Sequence, residues 1–235
     1  MAAPFSFGPT YCETLSATPG SFPVEPLNTI TNGVIVLFGL AALYFVVKRA
    51  PKALDLYLLC ALLVATGIGS GIWHGLRDGD ALFWEVRSGL FFVFALVFCW
   101  SLRLWTIFGA IPAVLAFNYG WEYSQNLDIL GISGRWVAVT PLIVGTGILM
   151  VAQTYYRSKQ AALTGTVAIV LAVVAVTFRT MDLAVCDAMP FGTHFLWHSF
   201  LSAGGFMGVM TLLALPARPW NWLWSRQAAS PSLAE

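Results

Sequence analysis

Charge is what this 235-residue chain has little of. Lys and Arg total 12, Asp and Glu total 11, and together they make up 10% of the residues, with a net charge of +1. A protein that grips a nucleic-acid backbone clusters its cations to neutralise several phosphates at once. No such patch exists here, so no nucleic-acid partner is expected. Histidine is scarcer still, with three residues, and cysteine contributes four. Residues 1–27 are not expected to be a secretory leader, because they lack a basic start and a continuous apolar core and are broken by Pro4, Pro9, Pro19 and Pro23. They read as an extramembrane segment. Residues 217–235 read as a polar tail without a lipidation or retention signal.

What is abundant is apolar surface. Hydrophobic residues make up 58% of the chain and the mean hydropathy is +0.77, far from the averages of soluble domains. An integral membrane protein is expected, all-α, with one domain over 28–216. Seven apolar runs are long enough to count as spans, at 29–47, 54–73, 81–102, 104–121, 136–155, 161–178 and 194–215. Pro112 and Asn118 interrupt the fourth. It is retained because membrane helices tolerate proline where neighbours satisfy the freed backbone groups.

Basic residues orient such a bundle. Lys48, Arg49, Lys52, Arg103, Arg157, Lys159, Arg218 and Arg226 fall on one side. Arg77, Arg135 and Arg179 fall on the other, each with an acidic residue nearby: Asp78, Glu122 or Asp128, and Asp182. The bias predicts the N-terminus outside and residues 217–235 as a cytoplasmic tail. It also has a consequence it was not chosen to produce. Ser70 and His74 fall near the outer end of the second run, Glu85 about one turn into the third, and His194 and His198 in the first two turns of the seventh. Five polar residues from three segments share one depth, which is what a common site requires.

His194 and His198 stand four residues apart, so a helix places both imidazoles on one face. Three histidines with an open fourth position are the ligand set of a catalytic zinc. A lone histidine in an apolar helix is more often a packed core residue, but polar groups at this depth are costly and mark function. Ser70 has a plainer reading beside Gly67, Gly69 and Gly71, as a small residue that lets helices approach. The plainer reading of Glu85 is a salt bridge to Arg77 or Arg87; the functional one is a hydrogen-bond partner or general base for a zinc-bound water. Cys60 and Cys99 lie in apolar runs and read as inert core residues. Cys12 and Cys186 both fall outside, where disulfides persist, and are expected to pair; two free thiols are the alternative.

The order S-x3-H, an acidic residue eleven positions on, then H-x3-H in the last run resembles the alkaline ceramidases. It also resembles their wider superfamily of seven-helix membrane hydrolases, which includes the adiponectin and progestin receptors and the haemolysin III-like proteins. Two further stretches resemble the ceramidase branch: Glu25-Pro26-Leu27-Asn28-Thr29-Ile30-Thr31-Asn32 is similar to its E-x2-N-T-x2-N opening, and Tyr11-Cys12-Glu13 to its N-terminal segment. The approach to Cys186 from Asp182 is similar to that of the second cysteine in the family's disulfide. The resemblance implies zinc at His74, His194 and His198, with Ser70 and Glu85 catalytic. The substrate would be a ceramide-like N-acyl lipid drawn from the bilayer. Glu85 stands where the family has Asp. The resemblance also implies calcium at Glu13 and Glu25, but Thr10 and Leu15 stand where Asp and Asn are expected, which leaves the oxygen set short for a hard cation. A hydrogen-bonded clamp on the N-terminal segment is the alternative.

Three rival readings stand beside the amidase. One is a lipid-sensing receptor of the same superfamily with a structural zinc. Another is a haem protein using His74 and His198 as axial ligands. In the third the histidines are simply packed. Short loops and Ala/Gly-rich helices point to a bacterial inner membrane, with the site near its outer face.

Overall fold

The computed structural model describes residues 8–18, 20–124 and 135–215. Asp128, Arg218, Arg226 and the tail at 217–235 lie outside them. Among the described residues the chain is all helical. A short α1 (Cys12–Ser16) precedes seven long helices: α2 (Pro26–Arg49), α3 (Leu54–Leu76), α4 (Gly79–Leu104), α5 (Ile107–Ser124), α6 (Arg135–Tyr155), α7 (Lys159–Met181) and α8 (His194–Ala214). A 3-10 turn, Asp182–Val185, follows α7. Each apolar run thus coincides with a long helix. Five of them, α2, α3, α4, α7 and α8, are long and apolar enough to cross a membrane, which marks an integral membrane protein. The prolines of α5 and α6, Pro112 and Pro141, sit inside continuous helix.

The ends of the helices are locally encoded. Pro26 opens α2, where its missing N–H is no loss. Asp78 and Ser158 cap α4 and α7 through side-chain bonds to the N–H of Ala81 and Ala161. α3 stops at Arg77, which takes a left-handed conformation (φ 56°) and turns the chain into α4.

Apolar side chains fill the core and also cover the outside. Leu54, Phe108 and Leu115 face outward, 80%, 74% and 64% exposed, as suits lipid contact, while Asn28, Asn32, Thr154 and Thr211 are buried. α2 lies against α3 and α8, and α8 against α7. The small-residue reading of α3 holds at Gly67, where an added Cβ would meet Val36 N at 2.9 Å and Asn32 O at 3.0 Å. This close approach brings the polar face of α2 to His74 of α3.

At one end of the bundle, Arg103 is buried, ion-paired with Asp55, and donates through Nε to Leu215 O at 3.1 Å. Arg157 donates to the Arg103 carbonyl. By sequence Arg103 reads as a loop cation, but its partner Asp55 removes it from the surface charge. At the opposite end, the N-terminal segment folds over the bundle. Cys12 and Cys186 form the expected disulfide, with Cα atoms 5.2 Å apart, and Cys60 and Cys99 are free and buried.

Candidate metal centre

Two buried carboxylates fix the starts of α2 and α8, the second of which carries His194 and His198. Glu13 accepts from the N–H of Leu27 at 2.7 Å and of Asn28 at 2.8 Å, filling first-turn donors of α2 from a distant segment. Asp182 does the same for α8: its Oδ1 accepts from Thr193 N at 2.7 Å and His194 N at 2.9 Å, and its Oδ2 from Cys12 N at 2.9 Å. Gly192 makes room for this, because its φ of 63° suits glycine and a Cβ there would strike the Asp182 carboxylate.

His74, His194 and His198 converge. Their rings lie 5.1, 4.8 and 4.6 Å apart between centroids in the pairs 74–194, 74–198 and 194–198. One nitrogen of each falls within 4.8 Å of the others, and all three residues are buried. Such a cluster can bind a metal ion.

The hydrogen bonds behind the rings test that fit. His74 Nδ1 donates to Glu25 Oε2 at 2.5 Å. His198 Nδ1 lies 3.1 Å from Thr31 Oγ1. The Thr31 hydroxyl proton is directed at the backbone, with Leu27 O at 2.8 Å and Asn28 O at 3.1 Å, so Thr31 accepts from His198. Both imidazoles therefore carry their proton on Nδ1 and present a bare Nε2. Those two Nε2 atoms are buried without a hydrogen-bond partner. Leaving them so costs free energy, and a cation bound between them removes the cost. A carboxylate or hydroxyl behind each ligating ring is the usual support of a histidine metal site. The residues fit a metal.

His194 is held differently. Tyr11 stacks on its ring at 3.8 Å between centroids. Arg179 Nη1 lies 3.4 Å from both of its ring nitrogens, and Arg179 Nη2 donates to the Tyr11 hydroxyl at 3.1 Å. Burial pushes the Tyr11 phenol well above its ordinary pKa, so it stays neutral.

The five residues picked out by depth are all brought together. Ser70 Oγ donates to Glu85 Oε1 at 3.0 Å, and that oxygen lies 3.8 Å from His74 Nε2. Of the salt-bridge alternatives for Glu85, Arg77 lies 3.3 Å from Glu25 Oε1 while its charge also acts on Glu85, and Arg87 covers the Phe83 ring. Ser70, Glu85 and His198 line a cavity of about 610 Å³. A second, apolar cavity of about 180 Å³ shares Ile35, Thr66, Gly89, Trp197 and Leu201 with the first and runs on towards Trp100 and Met150.

The calcium expectation rested on Glu13 and Glu25. Glu13 is taken up by the α2 N–H groups. Glu25 accepts from His74 and from Asn28 Nδ2 at 3.1 Å through Oε2, and from Thr14 Oγ1 at 2.5 Å through Oε1. These contacts are those of the hydrogen-bonded clamp. Burial pushes the Glu25 carboxyl up, opposed by Arg77, Thr14 and Asn28. The sequence held one signal for its role: Glu25, Asn28 and Asn32 recur at helical spacing and form one polar stripe on an apolar helix.

Glu25→Gln is expected to weaken metal binding by about 10–100-fold, measured by competition with a chelator. The amide cannot accept at both ends, so it turns an NH2 group towards either the Thr14 and Arg77 donors or the His74 donor. An unchanged affinity would mean that Glu25 only anchors the N-terminal segment.

Fold and site define a class: an all-helical integral membrane protein with a buried three-histidine cluster that can bind a metal ion. No family model matches the chain, and neither does any curated protein or solved structure.

Proposed function

We propose that the protein is a zinc-dependent intramembrane amidase, similar to the alkaline ceramidases, that hydrolyses N-acyl lipid amides to a fatty acid and an amine. The observation that carries the reading is the position of Glu85. Its carboxylate is 3.8 Å from the bare Nε2 of His74 and bonded to Ser70, and its side chain is 19% exposed, on the wall of the larger cavity. A structural metal has no use for a carboxylate held beside an open position.

Zinc held by His74, His194 and His198 would polarise a carbonyl oxygen and lower the pKa of a bound water towards neutrality. Glu85 accepts the proton of the attacking water and delivers it to the leaving nitrogen. Ser70 orients that carboxylate, and its hydroxyl can turn towards the developing oxyanion. The smaller cavity, lined by Phe92, Leu96, Gly205 and Gly208, is apolar enough for an acyl chain and excludes water from the site.

All seven long helices then serve as spans, with the N-terminus outside. Lys48, Arg49, Lys52, Arg157 and Lys159 mark the cytoplasmic end, and the cluster lies near the outer face of a bacterial inner membrane. The test is metal analysis of the purified protein together with release of fatty acid from a panel of N-acyl lipids, before and after chelation. The expected result is about one zinc per chain and turnover that chelation abolishes. Zinc without turnover of any amide would favour the receptor-like reading, and absence of metal would remove both.

A further inference from the structure

The smaller cavity follows one face of α4 away from the metal cluster. Gly89, Phe92, Leu96 and Trp100 line it at helical spacing, and Gly89 also borders the larger chamber. From α8 the wall is made by Leu201, Gly205 and Gly208. The glycines of that helix do two different things. A Cβ at Gly204 would meet a backbone atom, Ala168 O, at 3.2 Å, so this glycine lets α8 approach α7. The nearest atoms to a Cβ at Gly205 or Gly208 are side-chain carbons, of Leu63 and Phe92 in the first case and of Leu96 in the second. Those two glycines keep the cavity open.

The far end of the cavity is closed by a fixed ring. Trp100 is buried, and its Nε1 donates to Thr154 Oγ1 of α6 at 2.8 Å. The indole also sits against Gly165 of α7, where a Cβ would lie 2.8 Å from Trp100 Cη2. Behind it, three residues further along α4, is the buried Arg103 with its partner Asp55. Charged groups offer an apolar chain no continuation. Trp100 stands fifteen residues after Glu85, or about 22 Å along the helix axis. An extended chain advances about 1.2 Å per bond, so about 18 carbons reach from the cluster to the indole.

We propose that Trp100 is the specificity-determining residue for acyl-chain length, a stop that admits saturated chains of up to about 18 carbons and rejects longer ones. The inference rests on the amidase reading and names which lipid amides that site accepts. The discrimination comes from packing, not from hydrophobic gain. A chain that leaves lipid for an apolar cavity gains little with each methylene, because lipid tails are as apolar as the wall. Turnover is therefore nearly level for chains that fit. A chain too long for the cavity must displace the indole or leave its end folded in the chamber beside Glu85. One surplus methylene in a closed apolar pocket costs about 10- to 200-fold.

The experiment measures kcat/KM for N-lauroyl-, N-palmitoyl- and N-behenoylsphingosine, which differ only in acyl length, on the zinc-loaded full-length protein and on two variants. In the wild type the lauroyl and palmitoyl substrates are expected to agree within about 3-fold, and the behenoyl substrate to be lower by about 10-fold or more. Trp100→Ala should bring the behenoyl substrate to within about 3-fold of the palmitoyl one. Gly208→Leu fills the cavity from the opposite wall and should act in the reverse sense, lowering palmitoyl about 10-fold relative to lauroyl. A merely structural role does not move the ceiling in opposite directions. Equal turnover of the palmitoyl and behenoyl substrates in the wild type overturns the proposal, as does a behenoyl-to-palmitoyl ratio unmoved in Trp100→Ala. If the melting transition shows that Trp100→Ala does not fold, Gly208→Leu decides, and an unchanged palmitoyl-to-lauroyl ratio there overturns the proposal. If no amide is hydrolysed, the amidase reading fails first. Displacement of a fluorescent fatty acid by laurate, palmitate and behenate then reads the cavity by itself, and behenate competing as well as palmitate would remove the stop.

Discussion

His198→Ala is expected to lower bound metal from about one ion per chain to near zero, and amide hydrolysis with it. His198 is 1% exposed and supplies one of two bare Nε2 atoms that no protein group satisfies. Removing it leaves His74 and His194, too few protein ligands for a zinc site that keeps a position open for water. The substitution also leaves a void, and large-to-small changes in a packed core cost about 2–5 kcal/mol, so loss of metal alone is ambiguous. Thr31→Val separates the two effects. It is nearly isosteric and removes the acceptor behind His198 Nδ1 together with that hydroxyl's bonds to the backbone within α2, so it should weaken the metal while leaving the apo protein folded. Metal content is read by elemental analysis and folding by the melting transition of the apo proteins. Full metal occupancy in His198→Ala would take His198 out of the ligand set.

Much of this site could be read from the sequence because its key spacing is local. His194 and His198 needed only helical periodicity, and Ser70, His74 and Glu85 needed only a depth estimate along apolar runs. The groups behind them depend on distant contacts. Glu25 reaches His74 across 49 residues and Asp182 reaches Cys12 across 170, and no window of sequence contains either pair. Glu13 shows why residue type alone misleads. A carboxylate oxygen satisfies a calcium ion or the N-terminus of a helix equally well, and only the position of the Leu27 and Asn28 N–H groups decides between them. Arg179 and Arg77 were weighed as topology signals, since a cation at the end of an apolar run is normally a loop residue. Both instead turn inward, Arg179 to His194 and Arg77 to Glu25. At fold level, the fourth run is retained in spite of Pro112, and α5 continues through that proline. Hydropathy located each long helix because apolar side chains dominate the composition of each of those segments.

Glu85→Gln is the substitution that separates chemistry from metal binding. It is nearly isosteric, and its amide oxygen can still accept from Ser70 Oγ, so the 3.0 Å contact and the packing of α3 on α4 survive. What disappears is a group able to take up a proton, and general-base catalysis contributes about 10²–10⁴-fold. The expected result is a kcat lower by about that factor, with zinc content and melting temperature close to those of the wild type. Ser70→Ala removes only the hydrogen bond that orients the carboxylate, so it should reduce kcat less. If Ser70→Ala costs as much as Glu85→Gln, the hydroxyl is aimed at the oxyanion rather than at Glu85. If Glu85→Gln retains full turnover, proton transfer passes through another group. Loss of zinc in Glu85→Gln would mean that the carboxylate is a ligand: its 3.8 Å distance from His74 Nε2 is short enough for both to contact one ion, and Glu85 would then join His74, His194 and His198 in holding the metal.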